Sequence, residues 1–202
     1  MVIDAMLQQL VREDFTEDQL ALPEVQQFDC GAEIWEKEVS DWLKMPLGQD
    51  GAISSVRNEE RPGRVWLYRN ADGQLVGYGA LGYTEWRWTR NKDPFLPLTV
   101  IIWCAIQKEF WGTPDGPKDE RFSHQIMDNL ITEAIDDVET HPILGLAVHP
   151  ENTRAIKFYK EYEFLDNLAP RKDRLTGILY NRMALPLDNE ILGRMIEAAK
   201  KK

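Results

Sequence analysis

The sequence has few cysteines, no excess of basic residues and no long apolar run. Its two cysteines, Cys30 and Cys104, show neither the paired spacing of a metal site nor the density of a disulfide framework. We therefore expect free thiols, no metal site and a reducing, cytoplasmic environment. The N-terminal residues lack a basic start followed by an apolar block, and no run could span a bilayer. We expect neither a secretory signal nor a membrane partner.

The charge balance is acidic, with 34 Asp and Glu against 24 Lys and Arg, a formal net charge of −10. Nucleic acids and anionic membranes both reward clustered Lys and Arg, so nucleic acid is an unlikely partner for this chain. The 202 residues are 43% hydrophobic and 29% charged, which is an ordinary globular balance. This length allows one sizeable core, or one domain with extensions.

Apolar alternation and helical spacing predict an α+β fold in which a mixed sheet is flanked by helices. We divide the chain into an N-terminal extension (1–27), one domain (28–187) and a C-terminal helical tail (188–202). The predicted elements are a helix over 28–44 capped by Asp29, a loop over 46–63, a hairpin of strands 64–69 and 75–81, a strand over 98–106, a helix over 121–139, a strand over 143–148, a short helix from 152 and a strand over 177–187.

The stretch Asn152–Phe164 (NTRAIKFYKEYEF) follows a short apolar run that we interpret as a buried strand. Apolar residues at helical spacing give this stretch one buried face, formed by Ala155, Phe158, Tyr159 and Tyr162. The local unit is therefore a strand, a short loop and a short helix. A tyrosine in such a helix is ordinarily a core residue whose hydroxyl is bonded at the edge of the core.

The same stretch resembles the GNAT family of N-acetyltransferases. That family has asparagine, two residues, alanine, an aromatic–tyrosine pair and then glycine–phenylalanine; the matching residues here are Asn152, Ala155, Phe158, Tyr159 and Phe164. Glu163 departs from the pattern, because it stands where the family usually has glycine. The resemblance extends from Phe28 to Pro186 and implies a GNAT-like, mostly antiparallel sheet.

A second phrase, Phe28-Asp29-Cys30-Gly31, is similar to the start of the first helix in several acetyltransferases. Among these is a branch of bacterial toxins that acetylate aminoacyl-tRNA. The phrase keeps a toxin-like acceptor open as an alternative.

The resemblance implies acetyl-CoA as the acyl donor, with its pyrophosphate at the loop before the helix over 121–139. Lys118, Arg121 and Ser123 match the family's phosphate-binding phrase, and Phe122, between Arg121 and Ser123, belongs to the same predicted site. A helix N-terminus suits an anion through its unpaired N–H groups and dipole. Arg121 replaces the usual glycine, so either it contacts phosphate directly or cofactor binding is weak or absent. An ordinary surface loop is the alternative interpretation.

The resemblance also places the pantetheine arm along the end of the strand before this loop. There the backbone of Cys104, Ala105 and Ile106 would pair with the pantetheine amides as with an added strand. The matching asparagine, Asn152, would contact the cofactor. The side chains of this apolar strand are equally well explained as core.

Transfer needs a proton donor for the leaving thiolate, and the resemblance gives that role to Tyr159. Glu85 is a candidate base, with His149 or water as alternatives. We expect the acceptor to be a primary amine of a small molecule or a protein. The alternatives are aminoacyl-tRNA as the acceptor, or a non-catalytic CoA-binding protein. The sequence does not decide between a monomer and a homodimer. The alternating residues Trp86, Arg87, Trp88 and Arg90 line either an acceptor pocket or a half-buried strand end.

Overall fold

The computed structural model of the chain describes residues 9–86, 96–113, 117, 120–140, 143–150, 152–166, 171–172 and 179–187. The predicted tail over 188–202 lies outside these residues, as do Lys118, Arg87, Trp88 and Arg90. The chain divides into two compact units. The first contains Met1–Gly82 and Trp103–Leu130, and the second contains Tyr83–Ile102 and Ile131–Lys202.

The described strands and helices confirm the predicted α+β class. The strands are β1 (Val11–Asp14), β2 (Arg64–Arg69), β3 (Leu75–Trp86), β4 (Leu96–Ile106), β5 (Gly145–Val148), β6 (Arg171–Lys172), β7 (Leu179–Tyr180) and β8 (Met183–Pro186). The helices are α1 (Glu17–Leu20), α2 (Pro23–Gln26), α3 (Ile34–Lys44), α4 (Ala52–Val56), α5 (Phe122–Thr140) and α6 (Thr153–Glu161). Six of the described strands form one sheet in the order β1-β2-β3-β4-β5-β8. Its β4–β5 pair is parallel, whereas β1–β2, β2–β3 and β5–β8 are antiparallel.

The predicted hairpin is present as β2 and β3, and its turn is built by Asn70. The Oδ1 atom of Asn70 accepts hydrogen bonds from the amides of Asp72 at 3.1 Å and Gln74 at 2.9 Å. Gly73 has a φ of 78°, a conformation that residues with a Cβ adopt only at a cost. The turn therefore follows from local chemistry that is visible in the sequence.

Tyr78 of β3 is the centre of the first unit's aromatic core. Its ring meets Phe28 edge-on at 5.3 Å and stacks on Trp42 at 5.9 Å between centroids. Its hydroxyl donates to the carbonyl oxygen of Val39 at 2.7 Å, so the buried phenol is satisfied. These contacts pack α3 against β3.

The start of α3 corrects two predictions. The helix begins at Ile34 rather than at Phe28, and Asp29 does not cap it. The Oδ1 atom of Asp29 instead accepts a hydrogen bond from the Gly31 amide at 2.9 Å, which closes a turn before the helix. Glu33 occupies the N-cap position, and its amide donates to the carboxylate of Glu36 at 2.9 Å. The competing short turn at Asp29 is what delays the helix.

A further correction concerns residues 46–63, which contain the helix α4 and are not all loop. Ala52 and Ile53 of this helix are fully buried, at 0% and 1% exposure. Turn-forming neighbours hide so short an apolar segment in the sequence, and tertiary burial decides its structure.

Residues before Phe28 contribute to the sheet, because β1 pairs antiparallel with β2. Arg69 of β2 holds this segment through two ion pairs. Its guanidinium lies 2.7 Å from the Glu13 carboxylate and 3.1 Å from the Glu24 carboxylate. The division of the chain at residues 27 and 28 stays a prediction. No helix in the described ranges has the length and apolarity needed to cross a membrane.

The second unit has its own apolar cluster, formed by Trp86, Leu98, Ala147 and Ala184. Ala184 belongs to β8, which pairs with β5. The strand predicted over 177–187 is present as two strands, β7 and β8. Asp137 of α5 is buried and accepts a hydrogen bond from the Thr99 hydroxyl at 2.9 Å. The three- and four-residue spacing of apolar residues in α5 predicts an inner face that includes Ile135. Its side chain is 47% exposed, so the prediction is wrong for this residue.

Candidate functional site

The predicted site residues fall into both units. Cys104, Ala105, Ile106 and the segment 121–123 belong to the first unit, and Glu85, Asn152 and Tyr159 belong to the second.

Asn152 is the N-cap of α6, in agreement with the predicted helix start. Its backbone is extended, and its Oδ1 atom accepts a hydrogen bond from the Ala155 amide at 2.8 Å. This bond satisfies one of the amides that every helix N-terminus leaves unpaired. A capping role therefore explains the side-chain oxygen of Asn152, while cofactor contact by this residue stays a prediction.

Tyr159 lies on α6, seven residues after Asn152, and is 7% exposed. Its ring packs at 5.5 Å from the ring of Phe158 and 5.4 Å from that of Phe164, between centroids. The predicted apolar face is thus confirmed for this residue. Packing accounts for the ring, and the role of the hydroxyl as a proton donor stays a prediction.

Glu163 ends α6 in the conformation that the family's glycine would adopt. Its φ of 63° is left-handed, which is unusual for a residue with a Cβ. Its amide donates to the carbonyl of Lys160 at 3.1 Å, and the Phe164 amide donates to that of Tyr159 at 3.2 Å. These paired bonds form a Schellman motif, and the contact between the rings of Tyr159 and Phe164 completes it. Glu163 therefore occupies the left-handed position of the motif, where glycine is the usual residue.

The end of β4 carries the backbone predicted to bind pantetheine. The parallel ladder with β5 pairs Thr99 to Ile101 of β4, whereas β4 continues to Ile106. The following amide, that of Gln107, donates to the carbonyl of Val76 on β3 at 2.8 Å. A Cβ on Gly77 would collide with the Ala105 carbonyl oxygen, so a glycine is needed where these strands approach closely.

Cys30 and Cys104 are free thiols, as predicted. Burial raises the pKa of each thiol from 9.0 to about 12. At neutral pH both are protonated, so neither supplies a reactive thiolate. The predicted role of Cys104 in pantetheine binding therefore concerns its backbone.

The start of α5 places Arg121, Phe122 and Ser123 together. Nε of Arg121 is buried and has no hydrogen-bond partner among the described residues. The Phe122 amide already donates to the Thr113 carbonyl at 2.9 Å, and its ring meets Phe110 edge-on at 6.1 Å. The Oγ atom of Ser123 lies 3.3 Å from Nδ1 of His124. Arg121 is thus the residue of this group with unmet hydrogen-bonding capacity, and Phe122 is mainly a packing residue.

Glu85 is exposed near the end of β3, where successive side chains point to opposite faces. The next residue, Trp86, is 2% exposed and meets His149 edge-on at 5.0 Å between ring centroids. Arg182 lies over the same indole, with its guanidinium carbon 5.1 Å from the ring centroid. Nothing in the sequence connects Arg182 with either residue, because the three lie far apart along the chain.

A groove of about 920 Å³ lies in the first unit, just beyond the end of β4. Its walls include Arg69, Gln107, Lys108 and Glu109. The guanidinium of Arg69 donates hydrogen bonds to two carboxylates and, at 3.0 Å, to the Gly73 carbonyl. The predicted site residues are not among its lining residues in the described part of the chain. Within the described residues, no group of three or more His, Cys, Asp or Glu could hold a metal ion.

No protein-family model and no curated protein matches the sequence at a significant level. Solved structures do match. A tyrosine-to-phenylalanine mutant of the toxin AtaT, bound to the C-terminus of the antitoxin AtaR and acetyl-CoA, is 20% identical, with a TM-score of 0.63 over 92% of this chain and 98% of that one. AtaT complexed with acetyl-methionyl-tRNA is 18% identical, with a TM-score of 0.64 over 92% and 99%. A tyrosine-to-phenylalanine mutant of KacT is 17% identical, with a TM-score of 0.64 over 96% and 100%. At these identities the likeness shows the fold, and it confirms the predicted GNAT-like fold.

Proposed function

We propose that this protein is an acetyl-CoA-dependent N-acetyltransferase that acts on a primary amine of a small molecule or a protein. The observation that carries the proposal is α6, where Asn152 caps the helix and Tyr159 lies buried seven residues on, within a GNAT-like fold. Acetyl-CoA is present in a structure of AtaT, a toxin of this fold. Structures of AtaT and KacT mutants in which phenylalanine replaces a tyrosine have also been solved. These mutants lack a tyrosine hydroxyl, the group that we propose as the proton donor here.

The end of β4 fits the amide-rich arm of acetyl-CoA. The parallel pairing of β4 with β5 ends at Ile101, and β4 continues through Cys104, Ala105 and Ile106. A strand segment that extends past its ladder offers backbone N–H and C=O groups to an extended ligand. These three residues would hold the pantetheine through their backbone.

The start of α5 fits the pyrophosphate through Arg121. Its buried Nε has no partner among the described residues, and a buried donor without an acceptor costs free energy. A phosphate oxygen would satisfy this donor and would also gain from the dipole at the N-terminus of a long helix. Lys118, which lies outside the described residues, would add a second cation.

When bound, acetyl-CoA supplies an acyl carbon activated for attack by an amine. Tyr159 would donate its phenolic proton to the departing sulfur, and Glu85 or water would accept the proton that the attacking amine loses. Tyr159 sits among aromatic rings that fix its position, whereas Glu85 is exposed. The structure therefore supports Tyr159 as the acid more strongly than it supports Glu85 as the base. The free thiols agree with a reducing, cytoplasmic setting for this reaction.

Aminoacyl-tRNA is the second candidate acceptor. It is favoured by the phrase over residues 28–31 and by the structure of AtaT complexed with acetyl-methionyl-tRNA. The formal net charge of −10 weighs against it, because tRNA binding rewards clustered Lys and Arg. A non-catalytic CoA-binding protein is the remaining alternative.

The first test is thermal unfolding with and without acetyl-CoA. Ligand at 100 times its dissociation constant should add about 2.7 kcal/mol to the free energy of unfolding. An unchanged melting temperature at millimolar acetyl-CoA would refute the proposal. Release of free CoA thiol is then measured with small amines, a lysine peptide and charged tRNA in parallel. Binding without turnover on any acceptor would favour the non-catalytic alternative, and turnover on charged tRNA alone would select the second candidate.

A further inference from the structure

Trp111 is a partly exposed tryptophan whose ring is held in place by its own indole N–H. The residue is 38% exposed. Its Nε1 atom donates a hydrogen bond at 3.2 Å to the carbonyl of Ile106, the last residue of β4. A surface side chain ordinarily keeps its rotamer freedom, and this bond restricts it. The indole therefore presents a fixed apolar surface at the end of β4.

The backbone that carries this indole is also fixed. A single 3-10 turn, Lys108–Phe110, leads from β4 to Trp111. The Thr113 amide donates to the Phe110 carbonyl at 3.1 Å, which closes the chain around the tryptophan. Gly112 has a φ of 74°, so the chain reverses there without the strain that a Cβ would cause. Little ordering would be needed for a ligand to bind against this ring.

The segment around Trp111 contacts both parts of the proposed cofactor site. Its indole is bonded to the strand proposed to hold the pantetheine. The Phe122 amide donates to the Thr113 carbonyl at 2.9 Å, and the Phe122 ring meets that of Phe110 edge-on at 6.1 Å. Phe122 follows Arg121, whose buried Nε is proposed to contact the pyrophosphate. All of these residues belong to the first unit.

We propose that Trp111 is the stacking platform for the adenine base of acetyl-CoA. In that molecule the pyrophosphate links the pantetheine arm to the adenosine, so the base lies beyond the pyrophosphate. A nucleobase stacks favourably on an aromatic side chain through its π face. The platform needs only the exposed part of the ring, because the indole N–H is already bonded to Ile106.

This inference rests on the proposed function and deepens it. It makes Trp111 the residue that selects a CoA thioester over a thioester that lacks the nucleoside. The alternative is a surface tryptophan that only packs on its own turn, since single exposed apolar residues are common. In the described part of the chain, however, Trp111 is the one aromatic residue among the exposed large hydrophobic side chains.

The test compares acetyl-CoA with S-acetyl-phosphopantetheine, which keeps the thioester and a phosphate but lacks the nucleoside. Calorimetric titration measures the affinity of the intact protein for each. Trp111→Ala should weaken acetyl-CoA binding by ~5- to 150-fold, the range expected for loss of base stacking, and leave the shorter ligand unaffected. Trp111→Phe keeps a ring and should lose less. Leu47→Ala truncates another side chain of the first unit, 54% exposed, and should change neither affinity.

Equal weakening of both ligands by Trp111→Ala would overturn the platform and reduce Trp111 to a residue that shapes the loop. If the alanine variant does not fold, NMR of the indole N–H groups decides. The Trp111 signal, identified by its absence in Trp111→Phe, should shift more with acetyl-CoA than with S-acetyl-phosphopantetheine, and equal shifts would overturn the proposal. A wild-type protein that binds neither ligand would refute the proposed function as well, whereas acetyl-CoA binding that is indifferent to Trp111 would overturn this inference alone.

Discussion

Phe164 fixes Tyr159 by two contacts. The Phe164 amide donates to the Tyr159 carbonyl at 3.2 Å, and the two rings lie 5.4 Å apart between centroids. The backbone and the ring of Tyr159 are therefore held by the end of α6 itself. A substitution that removes only the hydroxyl should leave these contacts in place, which allows chemistry to be separated from packing.

Tyr159→Phe should lower turnover by ~100- to 10,000-fold, the usual contribution of general acid catalysis. Its acetyl-CoA affinity and melting temperature should stay near wild type, because the ring is retained. Tyr162→Phe is the matched control on the same helix, where the ring lies 5.5 Å from that of Phe158, and should keep full turnover. Steady-state kinetics and thermal unfolding measure both variants. Wild-type turnover in Tyr159→Phe would reduce Tyr159 to a packing residue.

Glu163→Gly should raise the free energy of unfolding by up to about 1 kcal/mol. The φ of 63° strains any residue with a Cβ, and glycine relieves this strain. The greater freedom of glycine in the unfolded chain offsets part of the gain. Glu163→Ala keeps the Cβ and should give no such gain. Chemical denaturation measures both, and a destabilised glycine variant would contradict the conformation assigned to Glu163.

Asn152→Ala should destabilise the protein by about 1 kcal/mol, because the cap on the Ala155 amide is lost. Asn152→Ser retains a capping oxygen and should stay near wild type in stability. If the amide also contacts acetyl-CoA, the serine variant should bind the cofactor more weakly despite its normal stability. Calorimetric titration of the serine variant decides this. Unchanged affinity would limit Asn152 to capping.

Arg121→Glu should weaken acetyl-CoA binding at least ~10-fold, since it replaces a charge-assisted donor to phosphate with a repelling carboxylate. Arg61→Glu makes the same change of charge at an exposed loop position and serves as the control. Calorimetry compares their dissociation constants. Equal affinities would remove Arg121 from the pyrophosphate site.

Stability should fall as pH rises above about 9. Burial raises the pKa of the Cys30 and Cys104 thiols from 9.0 to about 12, so the folded state holds protons that the unfolded chain releases in this window. This stabilisation is complete below pH 9 and is lost as pH approaches 12. Burial also raises the pKa of Tyr78, which acts in the same direction. A Cys30→Ala, Cys104→Ala variant should therefore show a shallower alkaline decline in denaturant titrations; an unchanged slope would contradict the raised thiol pKa values.

Local patterns in the sequence were enough to predict the elements that carry the proposed site. The turn at Asn70, the long apolar run of β4 and the helical spacing in α5 and α6 each depend on neighbours along the chain. The prediction that Asn152 and Tyr159 belong to one helix was correct because helical spacing is also a local pattern. These features are set by hydrogen bonding and periodicity within a few residues.

Long-range burial decided the rest. The sequence could not show that Ala52 and Ile53 would be buried as a helix, that the turn at Asp29 would delay α3, or that Ile135 would face solvent. It also could not show that Arg182 would cover Trp86, because residues from separate elements meet only when the sheet has formed. The sequence by itself determined the order of the elements from β2 to α6 and the family pattern in α6. Tertiary packing alone decided which donors, such as the Trp86 indole, are buried without a partner among the described residues.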